Sequence, residues 1–158
     1  FRLQPYYKNY NKRLIKSPKL YFWDSGLLCH VLKIKNHSEL TAHASRGHVF
    51  ETYIISEIKK YFLINNSKID MYYWHDKAHE VDCILEKKLG KLIPIEIKAG
   101  KTFSSDYKKS LEYLQKITEH SQTSYILYAG DLAQNLPRKL SVTPENHLFK
   151  MLNDVLKS

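Results

Sequence analysis

Apolar positions along the chain keep two rhythms. From Ser45 onward, Phe50, Ile54, Ile58 and Tyr61, joined by Ile55 and Phe62, recur at helical spacing and predict a helix over 46–62 that Asn65-Asn66 breaks. The period then changes. Residues 68–75, with Ile69, Met71, Tyr72, Tyr73 and Trp74, read as a strand, as does the alternating 80–86. A turn over 87–91 leads to a third strand, 92–98, and the three predict an antiparallel meander. Ser104 or Ser105 caps a second helix through Tyr107, Leu111, Leu114 and Ile117. A short apolar strand follows at 124–129, then a weaker one at 139–143. Thr143-Pro144, an N-cap followed by proline at the first helical position, opens a final helix striped by Leu148, Met151, Leu152, Val155 and Leu156. A crossover helix between strands implies helices covering the sheet, so the fold class is α/β.

Upstream of Ser45 the pattern is weaker. Residues 1–20 look like an incomplete unit, 19–23 is aromatic and strand-like, and Asp24 or Ser25 caps a short helix through Leu27, Leu28, Val31 and Leu32. The first residue, Phe1, sits in a stretch that reads as mid-domain, which predicts a piece of a longer protein.

Charge sharpens this division. The chain of 158 residues carries +9 overall. Residues 1–35 hold eight basic side chains against Asp24 alone, or +7, which leaves +2 for the remainder. Two readings fit: a polyanion partner, with nucleic acid leading, or a solvated or inter-domain basic face. Apolar residues make up 43%, enough for a core, and no apolar run approaches a membrane span. Cys29 and Cys83 sit in apolar contexts without ligand-spaced partners, so they read as buried thiols in a reducing, cytoplasmic setting.

Three charged residues interrupt the central strand pair: Asp82, Glu96 and Lys98. Glu96 and Lys98 are two apart and share a face. A hairpin turn centred on Leu89 sets Asp82 opposite Glu96; moving the centre back one residue sets them diagonal. Either register brings two carboxylates and an ammonium together among Val81, Cys83, Ile95 and Ile97. Two converging carboxylates suit a hard divalent cation such as Mg²⁺ or Mn²⁺, which lowers the pKa of bound water and offsets charge on a phosphate oxygen. A solvent-facing ion-pair set on a sheet is the plainer reading of the same spacing.

Other motifs carry less. Gly100-Lys101-Thr102 imitates the end of a phosphate-binding loop, but Ile95 stands where its first glycine belongs, which excludes an ATP site here. His75 and His79 flank a predicted turn, so a zinc pair is not expected; either one near the cluster would contact phosphate.

Asp82, a turn, then Glu96-Ile97-Lys98 behind Ile93-Pro94-Ile95 resembles the PD-(D/E)xK motif of restriction-endonuclease-like nucleases. The order helix, three-stranded antiparallel meander, helix, strand is similar to that superfamily's core over roughly residues 45–130. Glu80-Val81 stands where the motif has proline. More widely, 19–27, Phe50-Glu51, Tyr73-Trp74, 80–82 and 94–98 resemble the carboxy-terminal domain of a family of prokaryotic AAA-type ATPases. The resemblance implies residues 1–40 as the tail of a basic, winged-helix-like segment and 41–158 as the nuclease-like domain. It implies Asp82, Glu96, Glu51 and the Ile97 carbonyl as metal ligands, with Lys98 acting on water. Glu57 lies about 240° round the same helix from Glu51 and is excluded.

The partner implied is DNA, its backbone held by Lys8, Lys12, Arg13, Lys16, Lys19, Lys101, Lys108 and Lys109. The cofactor is Mg²⁺ or Mn²⁺, with ATP bound only in an upstream module. The expected activity is metal-dependent phosphodiester hydrolysis of DNA. The alternative is a non-catalytic DNA- or partner-binding module coupled to the ATPase.

Overall fold

In the computed structural model, residues 1–6, 17–76, 78–118 and 122–157 are described. They form a mixed α/β fold around one eight-stranded sheet with five α-helices among the described residues. The strands are β1 (Arg2–Pro5), β2 (Lys19–Leu20), β3 (Asp70–Asp76), β4 (His79–Lys87), β5 (Lys91–Lys98), β6 (Ser124–Tyr128), β7 (Gln134–Leu136) and β8 (Leu140–Pro144). The helices are α1 (Ser25–Val31), α2 (His37–Ala42), α3 (Arg46–Ile64), α4 (Lys109–Thr118) and α5 (Leu148–Lys157). The sheet runs β2-β1-β3-β4-β5-β6-β8-β7.

The predicted meander is present: β3, β4 and β5 pair antiparallel, and after the α4 crossover β6 lies parallel to β5. The crossover is needed because a parallel neighbour cannot be reached by a tight turn. Every β4–β5 pair, from Lys87↔Lys91 to Cys83↔Ile95, fits a turn centred on Leu89. One further step faces Asp82 with Glu96. Gly90, at φ 68°, takes the left-handed backbone that this turn requires.

Two apolar layers sandwich the sheet. On one side Ile54, Ile55 and Ile58 of α3 and Leu148 and Leu152 of α5 pack on Leu85, Ile93 and Ile95. On the other, Leu111 and Leu114 of α4 pack on Ile84, Leu92, Ile126 and Val142. Each fully buried isoleucine of α3 contributes roughly 1.5–3 kcal/mol through removal from water. α3 ends where expected: Asn65 caps it and Asn66 turns the chain in the left-handed region at φ 48°.

Several expectations change. Residues 1–6 join the main sheet, with β1 parallel to β3, Leu3 in the core and Tyr6 buried against α4's layer. The strand expected over 19–23 is only Lys19–Leu20, because Tyr21 turns into the core. Helix α2 and strand β7 had no clear apolar rhythm, being short and largely exposed. Pro144 closes β8 and caps a short 3₁₀ turn, Glu145–His147, instead of standing at the first helical position. Cys83 is buried, whereas Cys29 is only half-buried.

Candidate functional site

The site forms where the β4–β5 pairing ends. Between Tyr72↔Ile84 and Trp74↔Val81, β3 advances two residues while β4 advances three. The extra residue is a bulge at the Asp82-Cys83 step, a device that re-aims a side chain. Asp82 uses it: its Oδ2 accepts the Ile97 backbone N–H at 2.8 Å, beyond the last residue pair of β4 and β5. Asp82 is 8% exposed and Glu96 6%. The Lys98 ammonium donates to Glu96 Oε1 and stands 6.0 Å from the centre of the Tyr107 ring. Glu96 Oε2 is buried without a hydrogen-bond partner. The expected trio therefore meets.

Burial dominates the electrostatics. It raises the Asp82 pKa, with help from the Glu51 charge, to about 6, against the pull of Lys98, the Ile97 N–H and Lys19. Burial and then the Asp82 charge raise Glu96 to about 8. Burial works against the Lys98 ammonium, yet Glu96 and Asp82 outweigh it and hold its pKa above the ordinary lysine value. Burial pushes the Cys83 thiol far up, so it stays protonated and inert.

Glu51 reaches the site from α3, but its carboxylate is already engaged. Glu51 Oε1 accepts from Lys19 Nζ at 3.3 Å and from the Tyr21 hydroxyl. Lys19 also pairs with Glu80 and lies 5.4 Å from the Tyr73 ring centre. Burial lowers the Lys19 pKa, but Glu51, Glu80 and Asp82 lift it to about 12. Lys19 is half-buried and pairs with two carboxylates, Glu51 and Glu80. Glu51 has one oxygen engaged by Lys19 and Tyr21, and its charge bears on Asp82. The aromatic run 19–23 and Glu80 gave no periodic signal for this pairing.

Asp82 and Glu96 offer oxygen donors only, the type that a hard divalent cation takes, and Glu96 Oε2 has no hydrogen-bond partner. Among the described residues, no three His, Cys, Asp or Glu side chains converge as a metal-binding group. Any such site thus rests on two carboxylates.

The basic residues separate. Lys8, Lys12, Arg13 and Lys16 lie outside the described residues. Lys108 is 3.8 Å from Glu112 and Lys109 is 2.8 Å from Asp106, so both have local acidic partners. Lys101 is exposed and lines a cleft of about 940 Å³ with Arg46, Phe50 and Tyr53. Arg46, which charge reading missed, donates to the Ala99 carbonyl at 2.6 Å beside the end of β5. His79 stacks on Tyr113, with ring centres 4.2 Å apart, and belongs to that packing. No helix among the described residues is long and apolar enough to cross a membrane.

A family described as a domain of unknown function (DUF4143) matches residues 46–148; this domain is commonly found C-terminal to AAA ATPase domains. A second domain of unknown function (DUF8612) matches residues 1–38. The chain is similar to Uncharacterized protein Mb2031c of Mycobacterium bovis and Uncharacterized protein Rv2008c of Mycobacterium tuberculosis. Each is 29% identical over 102 residues, 64% of this chain and 22% of the relative. The chain thus spans about a fifth of the length of the curated relatives it matches. No solved structure matches it significantly.

Proposed function

This chain belongs to the DUF4143 family, and we propose that it is a nuclease-like domain, with a restriction-endonuclease-like core, that hydrolyses DNA phosphodiesters with a divalent cation in a protein that also carries an AAA-type ATPase. One observation carries the reading: a buried Asp82–Glu96 pair whose Glu96 Oε2 has no partner, beside the Lys98 ammonium. Two buried carboxylates that share one ammonium are costly, and the chain keeps them where strand pairing stops.

Asp82 and Glu96, with the Ile97 carbonyl, would hold Mg²⁺ or Mn²⁺. When bound, the metal supplies a water of lowered pKa and charge compensation for the phosphate. Lys98 has a raised pKa and is an ammonium at neutral pH. It therefore donates to the attacking water or a phosphate oxygen and does not act as a base. Asp82 fixes the Ile97 backbone through its hydrogen bond and so positions the Glu96-Ile97-Lys98 stretch. Lys101 and Arg46 line the adjoining cleft, where DNA phosphates would approach.

The test is incubation of the protein with plasmid, linear and branched DNA in Mg²⁺, Mn²⁺ or EDTA. Metal-dependent cleavage lost in Asp82→Asn, Glu96→Gln and Lys98→Met is the expected result; equal cleavage by all forms defeats it. The near-complete burial of both carboxylates favours one second reading, a binding module that does not cleave. Salt-sensitive DNA binding with no cleavage is its signature.

A further inference from the structure

The cleft of about 940 Å³ begins one residue past Lys98. Ala99 and Lys101 line it, and so does Ala129, whose N–H donates to the Lys98 carbonyl at 3.1 Å. Its size suits a small organic group. The segment after β5 lies close against the end of β6 because Gly130 has no side chain. A Cβ there would stand 2.3 Å from the Lys101 carbonyl oxygen.

Helix α3 supplies one wall, and its side chains change character along it. Arg46 opens the helix, Phe50 lies one turn on, and Tyr53 lies roughly 10 Å from Arg46 along the axis. Arg46 donates to the Ala99 carbonyl at 2.6 Å, and neither it nor Lys101 has a carboxylate partner among the described residues. Tyr53 is 36% exposed, its ring centre 6.3 Å from that of Phe50. Glu145 and Asp131 also line the cleft, and neither is in an ion pair among the described residues. Burial and then the Glu145 charge raise the Tyr53 pKa; burial and then the Asp131 charge raise that of Glu145. The carboxylates therefore lie within electrostatic reach of the ring.

Two cations without carboxylate partners, an exposed ring and two carboxylates without cation partners match the parts of one nucleotide. Arginine and lysine take its phosphate. An aromatic face stacks a base. A carboxylate accepts from a base amino group such as cytosine N4. Intact duplex offers none of its base faces, because neighbouring pairs cover them. We infer that the cleft takes one unstacked nucleotide of a single DNA strand, its phosphate on Arg46 and Lys101, its base on Tyr53 beside Phe50, and its amino group on Glu145 or Asp131. The inference deepens the DNA-hydrolysis reading on which it rests: it names the substrate as a single or frayed strand, with cytosine favoured over thymine, which has no amino group.

Binding is measured in EDTA, so that hydrolysis plays no part. Anisotropy follows labelled oligo-dC, oligo-dT and a duplex of equal length. A thiol reagent follows Cys29, which lines the cleft, while Cys83 is fully buried and stays silent in the folded chain. Oligo-dC is expected to slow Cys29 labelling several-fold and the duplex to leave it unchanged; oligo-dT should bind more weakly than oligo-dC. Tyr53→Ala should weaken oligo-dC binding about ten-fold, and Tyr53→Phe, which keeps the ring, should match wild type. If Tyr53→Ala does not fold, Cys29 protection in wild type decides. Four results each overturn the inference: no protection by oligo-dC, equal protection by the duplex, equal binding of oligo-dT, or equal protection by free deoxycytidine monophosphate at the same nucleotide concentration. Unchanged oligo-dC binding by a folded Tyr53→Ala overturns it as well. Protection by oligo-dC without any cleavage in Mg²⁺ or Mn²⁺ upholds the inference and defeats the hydrolysis reading alone.

Discussion

The carboxylate of Asp82 accepts the backbone N–H of Ile97 at 2.8 Å, joining β4 to β5 just past the last pair of their ladder. A side chain thus takes over from the backbone at the point where the site opens. Asp82→Asn keeps an oxygen that can accept this bond, whereas Asp82→Ala leaves a buried N–H unpaired, at a cost of roughly 1–3 kcal/mol. Denaturant melts should therefore rank Asp82→Asn above Asp82→Ala. A reversed order would show that the bond contributes little.

The buried carboxylates make stability depend on pH. Folded Asp82 and Glu96 have pKa values raised to about 6 and about 8, while the unfolded chain releases those protons near pH 4. The folded state therefore binds more protons across this window. Stability from these groups is greatest below about pH 4 and falls until about pH 8. In EDTA, Glu96→Gln should gain on wild type as pH rises from 5 to 8.5, ending several degrees higher in Tm. A constant gap between the two melting curves would remove the buried charge from the account.

Lys98→Met removes the ammonium that holds Glu96. Lys98 is 34% exposed, so solvent screening tempers the effect. A loss of about 2 kcal/mol is expected at pH 8, shrinking toward pH 5 as Glu96 takes a proton. DNA hydrolysis should fall at least about 100-fold, measured under conditions where the variant remains folded.

Glu51 and Glu57 share α3 but not a role. Glu51→Ala strands the buried Tyr21 hydroxyl and removes one partner of Lys19, so roughly 1–3 kcal/mol should be lost. Glu57 pairs with Lys60 one turn away, and Glu57→Ala should stay within about 0.5 kcal/mol of wild type. Chemical denaturation of the two variants side by side decides the point.

Lys101 has no acidic partner among the described contacts, unlike Lys108 and Lys109. Lys101→Ala should weaken DNA binding and lower the salt slope by about 1, while Lys108→Ala and Lys109→Ala change it less. Fluorescence anisotropy over a salt series measures all three; equal slopes would place DNA elsewhere.

The sequence alone determined the order of elements from 46 onward, apart from the short, exposed β7, because helical and strand periodicities are local and each segment's apolar face must be covered. Alternation likewise set Glu96 and Lys98 on one face of β5, and the turn around Leu89 brought Asp82 near them. Only the tertiary structure decided the rest. The β4 bulge adds a residue without a local mark, β1 joins the sheet by pairing with a strand almost seventy residues later, and Lys19 meets Glu51 and Glu80 across gaps of 32 and 61 positions. Coulomb energy depends on distance in space, and no spacing along the chain encodes which distant charges packing will bring together.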